Sequence, residues 1–239
     1  MNILLIPIAP LSRTKSRLRK CFSKEQLKDL TIAMFKDLVV KLEKVDCFNN
    51  KIVYCNSNEI IELANNSGLI GIKEKLYNPR KTFDQVIFDL NQIAIEKFNA
   101  SSTVFTFLDT ILISVQNFYE ISELTQKNQF VLCPAISSAG ISVFGRNPPD
   151  ILQTFFSNNT IPSLLAMLDA ARKANLKIAV YDSFRAGFDI DIKQDLVLAY
   201  QYLKIFGLEE TETHKFLKKN LNLSILKKSI NDNRKLTAK

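Results

Sequence analysis

Short apolar runs rich in β-branched and aromatic residues alternate with longer amphipathic stretches from residue 2 to residue 207, and this alternation narrows the fold more than any other feature. Strand-like runs separated by helix-like ones favour a mostly parallel sheet joined by right-handed crossovers. The chain opens on the strand "NILLIPI". Ser23 and Gln26 then form a capping box ahead of a helix whose apolar positions include Leu27, Leu30, Met34, Phe35 and Leu38. "NKIVYCNS" reads as a second strand, and "NEIIELANNSG" as a helix stopped by Gly68. "FDQVIFDLNQIAIEKF" is amphipathic, and "STVFTFLDTILI" reads as a central strand broken by one acid, Asp109. "VQNFYEISELTQ" is a helix, while "FVLCPAIS" and "GISVFGRN" are strands around a turn. The helix "SLLAMLDAARKAN", the strand "LKIAVYDS" and the helix "IKQDLVLAYQYLKIFG" complete the pattern. The expected fold is α/β, with three layers and a mostly parallel central sheet flanked by helices. It would occupy residues 1–207, followed by a helical basic appendage at 208–239.

Charge and composition exclude several functions. The net charge is +8 over 239 residues. Residues 215–239 hold Lys215, Lys218, Lys219, Lys227, Lys228, Arg234, Lys235 and Lys239 against Asp232 alone, so the rest of the chain is nearly neutral. A terminal basic run reads as a solvated helix face or tail, and nucleic acid is not expected as a partner. No apolar stretch approaches the roughly 20 residues of a membrane helix. The start lacks both the basic n-region and the cleavage site of a secretory signal, so a cytoplasmic protein with no membrane partner is expected. Cys21, Cys47, Cys55 and Cys133 are scattered without a C-x-x-C pair, which reads as reduced thiols. The sole histidine, His214, has no acid or nucleophile spaced to work with it and is expected on the surface without a role.

Two groups of charged residues carry the chemistry. "PLSRTKSRLRK" leaves the first strand with Arg13, Lys15, Arg17, Arg19 and Lys20, and a strand-to-helix turn lies at the carboxyl edge of the sheet, where ligands bind. Cations there suit phosphate. Lys15 and Arg17 are the candidates, since the loop has no glycine that would let its backbone wrap a phosphate as a Walker loop does. The second group is acidic. Asp189 and Asp191 in "FDIDIKQDL" stand two apart, so in an extended segment they point the same way and repel unless a cation lies between them. With Asp109 they form a trio suited to Mg²⁺, which completes its shell with water and substrate phosphate. Asp195 fits the first turn of the helix that follows.

"IPIAPLSRTKSRL", "SKEQLKDLTIAMFKDLV" and "VYDSFRAGFDIDIKQDLV" together resemble the 2-phospho-L-lactate guanylyltransferases, which open with a proline-containing strand and K-S-R-L and close on D-I-D-x-x-x-D-L. The similarity runs to about residue 225. It implies a nucleotide-diphospho-sugar transferase-like fold, Mg²⁺ as cofactor, GTP as donor and a small phosphorylated acid, 2-phospho-L-lactate or phosphoenolpyruvate, as acceptor. It also implies catalytic roles for Lys15, Arg17 and Asp109, metal binding by Asp109, Asp189 and Asp191, and substrate binding by Asp84, Ser138, Gly140 and Ser163. A homodimer is compatible with this reading. The chain departs from the family in places. "LDTIL" replaces A-D-L-P-L, "SSAGIS" at 137–142 replaces G-G-G-T-N-A, "TFDQ" places Asp84 at an Asn position, and Met167 stands where a histidine is expected. Metal and phosphate positions match, whereas base- and acceptor-recognition positions differ, so relaxed base selection through the 137–142 loop is expected. Fold alone does not separate this enzyme from a nucleotidyltransferase with another acceptor, or from a non-catalytic nucleotide- or partner-binding relative.

Overall fold

The computed structural model describes residues 1–221. In chain order its elements are β1 (Asn2–Pro7), α1 (Lys24–Leu42), β2 (Asn50–Cys55), α2 (Asn58–Asn66), β3 (Ile70–Lys73), α3 (Phe83–Phe98), β4 (Ser102–Thr106), α4 (Val115–Lys127), β5 (Phe130–Pro134), β6 (Ile141–Arg146), α5 (Ser163–Lys173), β7 (Ile178–Val180), α6 (Phe184–Gly187), α7 (Lys193–Ile205) and α8 (Glu212–Asn220). The strands form one sheet in the order β3-β2-β1-β4-β6-β5-β7. All neighbours run parallel except β6, which is antiparallel to β4 and β5. A helix returns the chain between the parallel neighbours, whereas β5 and β6 are joined by a short turn that only an antiparallel pair can use.

Strand β1 is buried along its whole length, as a strand covered on both faces must be. Its side chains alternate between two cores. Leu4 and Ile6 pack with Phe35, Leu38 and Phe118 from α1 and α4, while Ile3 and Leu5 pack with Ile87, Leu90 and Met167 from α3 and α5. The sheet is therefore the middle layer of three. A third core lies beyond the sheet's edge, where Leu18, Leu30, Met34, Phe188, Ile190 and Leu196 bring α1 and α7 together.

Several expectations need correcting. The run 102–113 is not strand throughout. β4 ends at Thr106, and the chain turns over Phe107–Ile113, with the Thr110 hydroxyl donating to Phe107 O at 2.7 Å. A Thr hydroxyl competes with the ladder by bonding local backbone, and here Thr110 does so just past the strand's end. The edge strand β3 is only four residues long and half-exposed, so its sequence carries little periodicity. His214 is not a surface residue. It is 5 % exposed, its ring stacks on Tyr200 with centroids 4.9 Å apart, and Nδ1 lies 2.9 Å from Glu209 O.

The reason is that α8 folds back onto α1. Asp37 accepts the Glu212 and Thr213 amides at 2.8 Å each, and Leu217 is fully buried in the third core. Residues 208–221 thus pack against α1 and the third core. Lys227, Lys228, Arg234, Lys235 and Lys239 lie outside the described residues. Among those described, no helix is long and apolar enough to cross a membrane.

Candidate active site

The loop after β1 is set by two inward residues and presents the outward ones. Leu18 is fully buried in the third core, and the Thr14 hydroxyl lies 2.8 Å from that of Thr31 on α1. Between and beside these anchors, Arg13, Lys15 and Arg17 line a cleft of about 620 Å³ at the carboxyl edge of the sheet. Arg19 and Lys20 point to solvent. Lys15 has left-handed backbone, φ 48 and ψ 43, at the start of a short 3-10 turn, Ser16–Leu18.

The acids arrive from two other segments. Asp109 lies in the turn after β4, and its carbonyl accepts the Ile190 amide at 3.3 Å, which ties that turn to the segment between α6 and α7. In that segment Phe188 and Ile190 are buried in the third core, so the intervening Asp189 and Asp191 both face the cleft. Asp195 accepts the Asp191 and Ile192 amides at 2.8 Å each, which starts α7 and fixes the direction of Asp191.

Lys15 stands among these acids. Its ammonium donates to Asp109 Oδ2 and, at 2.5 Å, to Ile190 O, and lies 3.6 Å from Asp191 Oδ1. Arg17 Nη1 donates to Asp191 Oδ2 at 2.9 Å. Asp189 is left out: its Oδ1 is buried with no partner, and burial together with Asp109 and Asp191 pushes its carboxyl up to about 7. No three His, Cys, Asp or Glu side chains among the described residues are arranged to hold an ion as they stand.

The opposite wall is built differently. Ser138, Gly140 and Ser163 line it, with Ser163 opening α5 and the Leu164 amide donating to Ala139 O at 3.2 Å. Gly140 has no unusual backbone angle, and a Cβ there would lie 3.0 Å from Ser138 Oγ, so its smallness serves space rather than conformation. Phe83, Phe107 and Phe156 complete this wall, their rings meeting edge-on or tilted at 5.3–5.7 Å.

The family described as "Guanylyl transferase CofC like" matches residues 1–238. The chain belongs to this family. It is a nucleotidyltransferase. A CofC-like relative from Methanocaldococcus jannaschii, named 2-phospho-L-lactate guanylyltransferase, is 24% identical over 220 residues, covering 88% of this chain and 91% of the relative. One of the same name from Methanocaldococcus sp. strain FS406-22 is 26% identical over 220 residues, covering 88% and 90%. Solved structures share the fold. One from Desulfovibrio desulfuricans G20, assigned to the nucleotide-diphospho-sugar transferases, has a TM-score of 0.71 at 13% identity and covers 92% of this chain and 94% of that one. A cytidylyltransferase from Leptospira borgpetersenii has a TM-score of 0.55 at 16% identity, with 92% and 94% coverage.

Within this CofC-like chain the cleft gathers Lys15, Arg17, Asp109, Asp189, Asp191, Ser138, Gly140 and Ser163. Asp84 is not on its wall. Its carboxylate accepts the amides of Phe156 and Ser157 at 2.8 Å each, which holds the Phe156 loop against the start of α3 and leaves Phe83 facing the cleft. Met167 is fully buried in the α3–α5 core rather than in the cleft. Two features of the CofC-like cleft were not anticipated from the sequence. Arg13 joins Lys15 and Arg17 at i+2 spacing, a signal the sequence carried. The phenylalanine wall comes from three distant segments and left no sequence signal.

Proposed function

We propose that this chain is a magnesium-dependent guanylyltransferase that transfers GMP from GTP to the phosphate of 2-phospho-L-lactate or phosphoenolpyruvate, a step of coenzyme F(420) biosynthesis. The observation that carries the reading is the meeting of the β1-loop cations with three carboxylates in one cleft. The relatives' name supplies the guanylyl donor and the acceptor.

In this reading an acceptor phosphate oxygen forms a bond to the α-phosphorus of GTP, the bond from that phosphorus to the bridging oxygen breaks, and pyrophosphate leaves. The acceptor is already ionised, so alignment and charge neutralisation suffice without a strong base. Lys15, released from Asp109, and Arg17 bind the leaving phosphates. Ser138, Gly140 and Ser163 face the acceptor, and Asp84 positions Phe156.

The carboxylates fit magnesium. Asp189 has a buried oxygen with no partner, the donors are all oxygen, and Mg²⁺ needs only one or two protein carboxylates when phosphates complete its shell. Asp109, Asp189 and Asp191 would hold the ion, whose positive charge would offset that developing on the α-phosphate.

Pyrophosphate release from GTP and Mg²⁺, measured with 2-phospho-L-lactate, phosphoenolpyruvate and 3-phosphoglycerate, tests the reading. Turnover with either of the first two supports it, and GTP binding without turnover on any acceptor overturns it. One observation favours a different acceptor on the same chemistry: every Lys and Arg lining the cleft sits on the β1 loop, and the opposite wall is aromatic and hydroxylic. Turnover on 3-phosphoglycerate alone would establish that alternative.

A further inference from the structure

A second cavity, of about 180 Å³, opens beside the cleft on its β2–β3 side and shares Pro7, Ile8, Ala9, Arg13 and Phe83 with it. Its outer wall is the segment after β3. Leu76 and Tyr77 there, with Phe83, are exposed apolar or aromatic side chains suited to the faces of a planar ring. Glu74 differs from them. It is 7 % exposed and lines the cavity, yet among the described residues its carboxylate makes no ion pair and accepts no hydrogen bond.

The backbone of Glu74 is fixed from both sides. Its amide donates to Cys55 O at 2.8 Å, and its carbonyl accepts Asn56 Nδ2 at 2.9 Å. Burial raises its pKa, against the pull of Lys81 and Arg13. The Glu74 oxygens are not among the fully buried atoms left without a partner, and a carboxylate on a cavity wall with no protein donor keeps its lone pairs open to the donors that a ligand brings.

We propose that Glu74 determines base specificity, its two carboxylate oxygens accepting the N1–H and the 2-amino group of a guanine seated in this side cavity. The inference rests on the guanylyltransferase reading and assigns the part of it that selects the base. Guanine offers two adjacent donors on that edge, and hypoxanthine offers one. Adenine and cytosine instead present a bare ring nitrogen that would face the carboxylate lone pairs. A site built around such donors rejects a base that lacks them. Arg13 lines both cavities, so a nucleotide with its phosphates at Lys15 and Arg17 passes it on the way to Glu74. The 137–142 turn, where the sequence predicts base selection, does not line this cavity.

Calorimetric titration of the full chain with GTP, ITP and ATP in Mg²⁺ tests the proposal without relying on turnover. A hydrogen bond to a charged group corresponds to about 10- to 100-fold in affinity, so the expected order is GTP, then ITP about tenfold weaker, then ATP at least about 100-fold weaker. Glu74→Gln should weaken GTP by about tenfold or more and strengthen ATP. Glu74→Asp, which keeps the charge on a shorter stem, should keep the order with weaker binding, and thermal melting would show that both variants fold. An unchanged GTP-to-ATP ratio in a folded Glu74→Gln overturns this inference while leaving the guanylyltransferase reading in place. Failure of the unaltered chain to bind any triphosphate overturns both.

Discussion

Lys15 holds a left-handed backbone conformation that costs a residue with a side chain about 1–2 kcal/mol, and its bonds to Asp109 and Ile190 O offset that strain. Lys15→Ala keeps the strain and loses both bonds. Triphosphate affinity is expected to fall about tenfold or more while nucleoside affinity changes little, and equal losses in titrations of GTP and guanosine would remove Lys15 from the phosphate site. Asp109→Asn keeps the size of the side chain and removes its charge, so pyrophosphate release should drop about 100-fold or more while the variant still melts in one cooperative step. A parental rate would make Asp109 structural. Asp189 gives a pH signature. Folded, it keeps to about pH 7 a proton that it releases near pH 4 when unfolded, so its contribution to stability falls as pH rises across that window. Without Mg²⁺, Asp189→Asn should therefore melt higher than the parent by about 2–4 °C at pH 8, the equivalent of ~1 kcal/mol. The gain should shrink toward pH 4, and identical melting at both pH values would contradict the assignment. The i, i+2 spacing of Asp189 and Asp191 made their shared direction legible in the sequence. The capture of Asp109 by Lys15 was not, because it joins residues 94 positions apart.

Elements with strong periodicity or caps could be read from the sequence, and those defined by a neighbour could not. The amphipathic stretch 83–98 is α3 to the residue, with Thr82 and Gln85 exchanging capping bonds at its start. β3 and the end of β4 depend instead on what pairs beside them. Close approach of elements is also hidden in sequence and surfaces in the glycines. A Cβ on Gly145 in β6 would lie 2.1 Å from Thr125 Oγ1 on α4, whose hydroxyl is committed to Ile121 O at 2.8 Å. Gly145→Ala should cost about 1–3 kcal/mol by overpacking. Denaturant unfolding would reveal this as a lower midpoint at constant slope, and an unchanged midpoint would mean that α4 gives way freely.

At the scale of the whole molecule, the parallel-rich three-layer fold is legible in the sequence because alternation runs along most of the chain. The basic face of α8 is solvated as expected, with Lys215, Lys218 and Lys219 exposed, but net charge does not report that Leu217 and His214 face inward, so His214 reads from sequence as a surface residue. The β1 loop contacts α1 through Thr14, α1 contacts α8 through Asp37, and Lys15 reaches the α6–α7 segment, so a ligand at the loop bears on most of the fold. GTP with Mg²⁺ at about 100 times its dissociation constant should stabilise the chain by ~2.7 kcal/mol. That corresponds to a melting shift of about 5–10 °C, and no shift would deny binding to the folded state. The reversed strand β6 has a different consequence. Because it runs against its neighbours, the turn that begins it reaches the ligand edge without a crossover helix attached, and it faces the half of the cleft opposite the β1 loop. That turn can change composition at its exposed positions 136–139 while β5 and β6 keep their register, its bonds to Leu164 and Gly187 being made by backbone. If the acceptor is bound there as proposed, substitutions in this turn are the place to change which acceptor the scaffold takes.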